Sequence, residues 1–162
     1  MIEVVTQLTD SQHRSTVDAR PEDRLVMFFE HGVMPSNELS ANSRSHWAVR
    51  ARHSKAWRDH AKMMGVRALL EMNNLHLSKS GRPLRCQLTY RIEFADNRKR
   101  DLDNLITRFK PYVDGLVDSG VLADDSTDSI SWGAHTCENG SRFTRFAVHL
   151  QFEEGDQGEL DT

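Results

Sequence analysis

No apolar run in the 162-residue chain approaches the ~18 residues that a membrane-spanning helix needs, so none is expected. The first 24 residues lack the basic stretch and apolar block of a secretory signal. Cysteine is scarce. Cys86 and Cys137 are the two present, and their separation is no metal-type spacing. That excludes a disulfide scaffold and a zinc ribbon, and reduced thiols of a cytosolic protein are expected. No glycine-rich phosphate loop, Ser-His-Asp set or Cys-His pair can be read. A net charge of −3 argues against a protein that coats nucleic acid indiscriminately.

What is present opens with a polar stretch. Residues 1–24 hold no sustained period and read as a tail, with at most a short strand at Ile2–Val5. Leu25–Glu30 is a short apolar run, the mark of a buried strand. Residues 31–45 are rich in Pro, Gly, Asn and Ser and read as a loop. Trp47–Met72 reads as the first helix. Trp47, Ala51, Ser54, Trp57, Ala61, Met64, Ala68 and Met72 share one face, so both tryptophans are expected in the core. Gly65 weakens the middle by roughly 1 kcal/mol relative to Ala, and a bend or break is expected there. Between Arg44 and Arg67 stand seven Lys or Arg and a single acid, Asp59. A solvated face and a phosphate-binding face explain Arg50, Arg52, Lys55, Arg58 and Lys62 about equally. His46, His53 and His60 recur every seven residues. At two helical turns apart they are too distant for one metal and are expected to make polar surface or DNA-facing contacts.

Leu84–Phe94 alternates cleanly, as a strand with one covered face does. Residues 104–120 read as the second helix, with Leu105, Phe109, Tyr112 or Val113, and Leu116 on its apolar stripe. Asp103 is placed to cap its start and Gly120 to end it, and Pro111 should kink it. Two further strands follow, about Ser129–Thr136 and Phe143–Phe152, with Glu138-Asn139-Gly140-Ser141 as the hairpin turn between them. Residues 153–162 are an acidic tail. The expected fold is α+β: residues 25–152 form one domain, with a mixed sheet of about four strands and two main helices on one side.

The chemistry concentrates between Arg98 and Ser126. Arg98, Lys99 and Arg100 abut Asp101 and Asp103, and a second acidic pair, Asp124 and Asp125, follows the helix. Clustered carboxylates repel, so a cation should sit among them, and hard oxygen donors favour Mg²⁺, Mn²⁺ or Ca²⁺. The flanking cations point to a phosphate as that metal's other ligand. In extended backbone Asp101 and Asp103 would point the same way, with Leu102 in the core. An EF-hand fails, because Leu105 and Ile106 fall where an oxygen ligand and a glycine are required. An aspartyl-phosphatase reading is weak, because NRKR separates the pair from its strand. The stretch reads as a metal-dependent phosphodiester-cleaving site. Caps and solvated loops are the alternative explanation of the same acids.

The pattern Arg98-Lys99-Arg100, Asp101-Leu102-Asp103-Asn104-Leu105, Lys110, Asp114-Gly115-Leu116, Gly120, Asp124-Asp125 resembles the RusA family of Holliday junction resolvases, many of them encoded by phages and prophages. Pro35-Ser36-Asn37 is similar to a segment that family members carry before their first helix. The likeness spans roughly residues 25–152. It implies a cytoplasmic homodimer that cuts four-way DNA junctions by paired nicks, with Mg²⁺, or Mn²⁺ in its place, as cofactor. Asp101, Asp103 and Asp125 match the family's essential acids, with Asp124 as a neighbour, and Lys110 matches its active-site lysine. The resemblance implies that Arg98, Lys99, Arg100 and the basic first helix contact DNA. In one respect the chain departs from the pattern. The lysine's usual place, one turn after the second Asp, is Thr107 here, and Lys110 lies three residues further on. Three residues rotate a helical face by roughly 60°, which leaves Arg108 as an alternative cation unless a kink at Pro111 re-aims Lys110. Other metal-dependent nucleases for branched DNA or RNA, and a non-catalytic DNA-binding module, are the competing readings.

Overall fold

Residues 3–7, 13–19, 25–74 and 85–152 are described in a computed structural model of the chain. The elements run β1 (Glu3–Gln7), β2 (His13–Ala19), β3 (Leu25–His31), a short 3₁₀ turn (Asn37–Leu39), α1 (Trp47–Asn74), β4 (Cys86–Phe94), α2 (Leu102–Ser119), β5 (Ile130–Trp132), β6 (Thr136–Asn139) and β7 (Arg145–Phe152). The class is α+β, with two helices on a mixed sheet. The sheet has seven strands rather than about four, in the order β1-β2-β3-β7-β4-β5, with β6 also on β4. The polar N-terminal stretch supplies two of the additional strands, because β3 offers a free edge on which β2 pairs from His13 to Ala19. The acidic segment 153–162 lies outside the described residues, as does Leu84 of the expected third strand.

β4 behaves as its alternation requires. Cys86, Leu88, Tyr90, Ile92 and Phe94 are buried and meet Met64, Phe109, Leu116 and Phe146 in one core. Each large apolar side chain buried there contributes about 1.5–3 kcal/mol. The expected hairpin is absent. β5 and β6 both pair parallel to β4, β5 along Cys86–Leu88 and β6 along Arg91–Phe94. β7 lies on the other side of β4, antiparallel to it and to β3. Gly140 does turn the chain, at φ 73°, but the turn is pinned to the end of β4. The Gly140 N–H donates to Asp96 O (3.1 Å) and the Ser141 N–H to Phe94 O (2.9 Å). The chain thereby crosses over the end of β4 instead of folding back on β6. The cause is the apolar pattern of β7, whose buried Phe146, Ala147, Val148, Leu150 and Phe152 suit a strand flanked on both sides.

α1 runs unbroken through Gly65. A Cβ there would stand 2.2 Å from Ser119 Oγ, so the glycine serves close helix packing rather than a bend. Gly115 does the same for α2, where a Cβ would lie 2.3 Å from the Arg58 carbonyl oxygen. α2 likewise continues through Pro111. The core face of α1 is confined to its second part. Ala61, Met64, Ala68 and Met72 are buried and Trp57 packs beside the core, but Trp47 is 74% exposed. The first turns of α1 contribute no buried side chain, and Trp47 lies outside the core.

The helix contacts advance in the same direction along both sequences: Trp57 with Tyr112, Arg58 to Lys62 around Gly115, Gly65 with Ser119, and Leu69 with Gly120. α1 and α2 are therefore parallel. β3 and β4, each antiparallel to β7, are parallel too. The loops leaving β3 and β4 lead into the two helices, so both helices begin at the same end of the sheet.

Candidate functional site

At that end α2 is capped by Asp101, not by Asp103. Asp101 is extended (φ −84°, ψ 119°) and Leu102 is already helical. The Asp103 N–H donates to Asp101 Oδ1 (3.1 Å), and Asn104 Nδ2 donates to Asp101 Oδ2 (2.9 Å). The Asp-x-Asp pair is thus a cap and a first-turn residue instead of two neighbours in extended chain. Leu102 accordingly points outward and is 43% exposed. The Asp103 carboxylate has no hydrogen bond to any described residue. Its negative charge sits over the first turn of α2, which favours it electrostatically.

Seven residues on, Lys110 lies almost in line with Asp103 on the outer face of the same helix. The helix runs on through Pro111, so no break re-aims Lys110. The Lys110 ammonium donates to Asp114 and to Asp125. Burial lowers the lysine's proton affinity, but the two carboxylate bonds outweigh that, and its pKa is raised. Asp125 is correspondingly held below the ordinary carboxylate range, first by the Lys110 bond and then by the lysine's charge. Asp124 turns inward on its neighbour, its Oδ1 accepting from the Asp125 N–H (2.7 Å). Asp114 was legible as an i, i+4 partner of Lys110 and belongs to this group.

Arg108 does not compete for this place. It is buried, and its Nη2 donates to the Pro35 carbonyl oxygen on the loop after β3. Its Nε has no partner, and burial lowers the guanidinium's pKa. The charge of Glu38, on the 3₁₀ turn, reaches Arg108 on one side and His53 of α1 on the other. The Pro35–Leu39 segment is thus wedged between the helices, with Leu39 buried.

The basic run before α2 is divided. Arg98 and Arg100 both bind Asp96, at 2.8 and 2.6 Å, and hold its carboxyl far below its usual range. Arg100 also lies 3.5 Å over the Phe94 ring and donates to Asn139 (3.0 Å), which locks the loop onto β4 and β6. Lys99 is exposed with no partner among the described residues. On α1, Lys55 pairs with Asp59 and Arg58 with Asp118, both at 2.5 Å. Arg50, Arg52 and Lys62 are exposed and bond no described side chain.

His60 departs from the expected surface role. It packs against buried His31, with Nε2 3.4 Å from His31 Nδ1, and His31 Nε2 meets the Tyr112 hydroxyl at 2.7 Å. Sequence spacing cannot show this contact, because His31 and Tyr112 come from β3 and α2. His135 is a further histidine with a fixed role. Its Nδ1 accepts from the Tyr90 N–H (3.1 Å) and fills a gap between β5 and β6 in the ladder on β4. Burial lowers its pKa.

Asp101, Asp103, Asp124 and Asp125 are hard oxygen donors of the kind that Mg²⁺ or Mn²⁺ takes. Asp101 and Asp103 meet at the first turn of α2, whereas Asp125 rests on Lys110 further along. Among the described residues, no three His, Cys, Asp or Glu side chains form a ready metal-binding group. The donor set fits a divalent cation in chemistry, with Asp103 the carboxylate open to it.

Cys86 is buried, Cys137 is exposed, and no disulfide joins them. Among the described residues no helix is long and apolar enough to cross a membrane. No family model matches the chain. It is similar to an uncharacterized protein of Xylella fastidiosa (strain Temecula1 / ATCC 700964), with 38% identity over 87 residues. The match covers 52% of this chain and 52% of the relative, so the chain spans about half the length of the protein it resembles.

Proposed function

We propose that the chain is a metal-dependent endonuclease for branched DNA, with four-way junctions as its substrate and one nick made by each subunit of a homodimer. One observation carries this reading. The parallel helices begin side by side, so the cationic start of α1 and the acidic start of α2 flank one loop at one end of the sheet. A DNA backbone held by the first would pass the second. The resemblance to RusA resolvases supports the same reading.

In that role Asp101, Asp103 and Asp125 would hold Mg²⁺, with Mn²⁺ able to replace it. The metal would supply a water activated for attack and a charge to stabilise the leaving oxygen. Asp103 presents the open carboxylate, and Asp101 keeps the first turn in place by its cap. Lys110 offers the positive charge that a scissile phosphate needs, once it exchanges a carboxylate partner for that phosphate. Arg50, Arg52 and Lys62 bond no described side chain and can take phosphates without breaking an ion pair among the described residues. Arg58 and Lys55 would first have to release Asp118 and Asp59.

The test uses labelled four-way junction, duplex and single strand, with and without Mg²⁺, for wild type and Asp103→Asn. Symmetric Mg²⁺-dependent nicking of the junction by wild type alone is the expected result. Binding without cutting by both proteins would replace this reading with a DNA-binding module. That second reading has its own support, since Asp101 is occupied as a cap and Asp125 by Lys110. It predicts that Mg²⁺ leaves the melting temperature unchanged.

A further inference from the structure

Trp47 stands on the first turn of α1, where its indole is 74% exposed beside His46, with ring centroids 5.5 Å apart. Arg44 precedes it and Arg50 follows at one helical turn on an adjoining face, whereas Arg52, five residues on, projects roughly 140° around the helix. All three are exposed, and none bonds a described side chain. The nearest acid along the helix, Asp59, is already taken by Lys55. A large exposed aromatic here stands beside cations that bond no described side chain. This surface combines the two features that unpaired nucleic acid requires: a flat apolar platform for a base and positive charge for the phosphates on either side. Continuous duplex offers only phosphates to such a surface, because its bases are stacked on one another. The charge excludes a cationic or purely apolar partner.

We propose that Trp47, with Arg44 and Arg50, is a binding site for unpaired single-stranded DNA, on which one base stacks on the indole. This rests on the nuclease reading for the identity of the polymer and deepens it: the strand presented to the acids of α2 is unpaired or unstacked next to the cut. The other exposed tryptophan among the described residues, Trp132, is 55% exposed and packs against Tyr90 and His135.

The experiment measures binding with EDTA present, so that it needs no cleavage. An oligonucleotide and a four-way junction, each carrying 2-aminopurine at an unpaired or branch position, are titrated with wild type, Trp47→Ala, Trp47→Phe and Arg44→Ala/Arg50→Ala. Stacking should alter the probe's fluorescence in wild type. Trp47→Ala should remove that change and weaken single-strand binding by about tenfold or more. Trp47→Phe should keep most of it, and the double arginine variant should weaken binding with a shallower salt dependence. Unchanged melting temperatures confirm that the variants fold. If Trp47→Ala binds and perturbs the probe as wild type does, or if wild type binds no single strand, the proposal is overturned. Mg²⁺-dependent junction cutting, assayed separately, then shows whether the nuclease reading stands without it.

Discussion

Lys110 and Asp125, 15 residues apart, are joined by an ion pair that ties the loop before β5 to the outer face of α2. The same ammonium holds Asp114 one turn along the helix. Any phosphate approaching Lys110 meets a cation that already has two anionic partners.

That pairing makes a pH prediction. The Asp125 carboxyl is held below its ordinary range, so its share of the loop's stability is complete above that range and is lost as pH falls through the lowered value. Lys110 is shifted upward, so its share is complete below the ordinary lysine range and is lost as pH rises past the raised value. Lys110→Met should return Asp125 toward an ordinary carboxylate, as read by NMR titration. Global stability should barely move, because the pair is exposed. An Asp125 titration that ignores Lys110→Met would show that the ion pair does not form.

Asp103→Asn should lower Mg²⁺-dependent cutting by roughly 100-fold or more while keeping junction affinity or improving it, because a carboxylate that repels phosphate is gone. Gel-shift and cleavage assays on one junction check this. Equal loss of both activities would remove Asp103 from the site.

Gly115→Ala should destabilise the fold by about 1–3 kcal/mol in urea unfolding, because the new methyl meets the immovable Arg58 carbonyl. Gly65→Ala meets a side chain instead, Ser119, whose Oγ would lie at 2.2 Å and Cβ at 2.7 Å, so Ser119→Ala should rescue it only in part. An additive Gly65→Ala/Ser119→Ala pair would contradict the contact.

Tyr112→Phe removes the hydroxyl bonded to His31 Nε2 in a buried site. The expected cost is about 0.5–1.5 kcal/mol, because a buried hydrogen bond is lost. Thermal unfolding with the surface variant Lys99→Ala as control checks it, and a neutral result would show the hydroxyl to be dispensable.

Much of this architecture was legible. β4 announced itself by alternation, and α1 and α2 by periodicity. Gly120 marked the end of α2, where it takes φ 83°. Each of these signals is local. What local signals could not supply was pairing: nothing in residues 136–146 distinguishes a hairpin from a crossover, because the choice depends on which neighbour β7 buries itself between. The cap was misplaced by two residues because Asp101 and Asp103 are equally good caps, and the backbone before the helix decides between them. Trp47 was expected in the core because the 3–4 spacing continues into the first turns of α1, which bury no side chain. Of the site, the acids, Lys110 and the basic helix were visible as residues, whereas their common end of the molecule was not, since it follows from the parallel course of α1 and α2.

β7, the last described strand in the chain, occupies the middle of the sheet, and β3 and β4 touch each other only through it. Residues 145–152 are the last of the described strands to be synthesised, so before they arrive the two parts of the sheet are joined by the direct packing of α1 on α2 through Gly65 and Gly115, and that packing is what can set the two charged helix starts side by side.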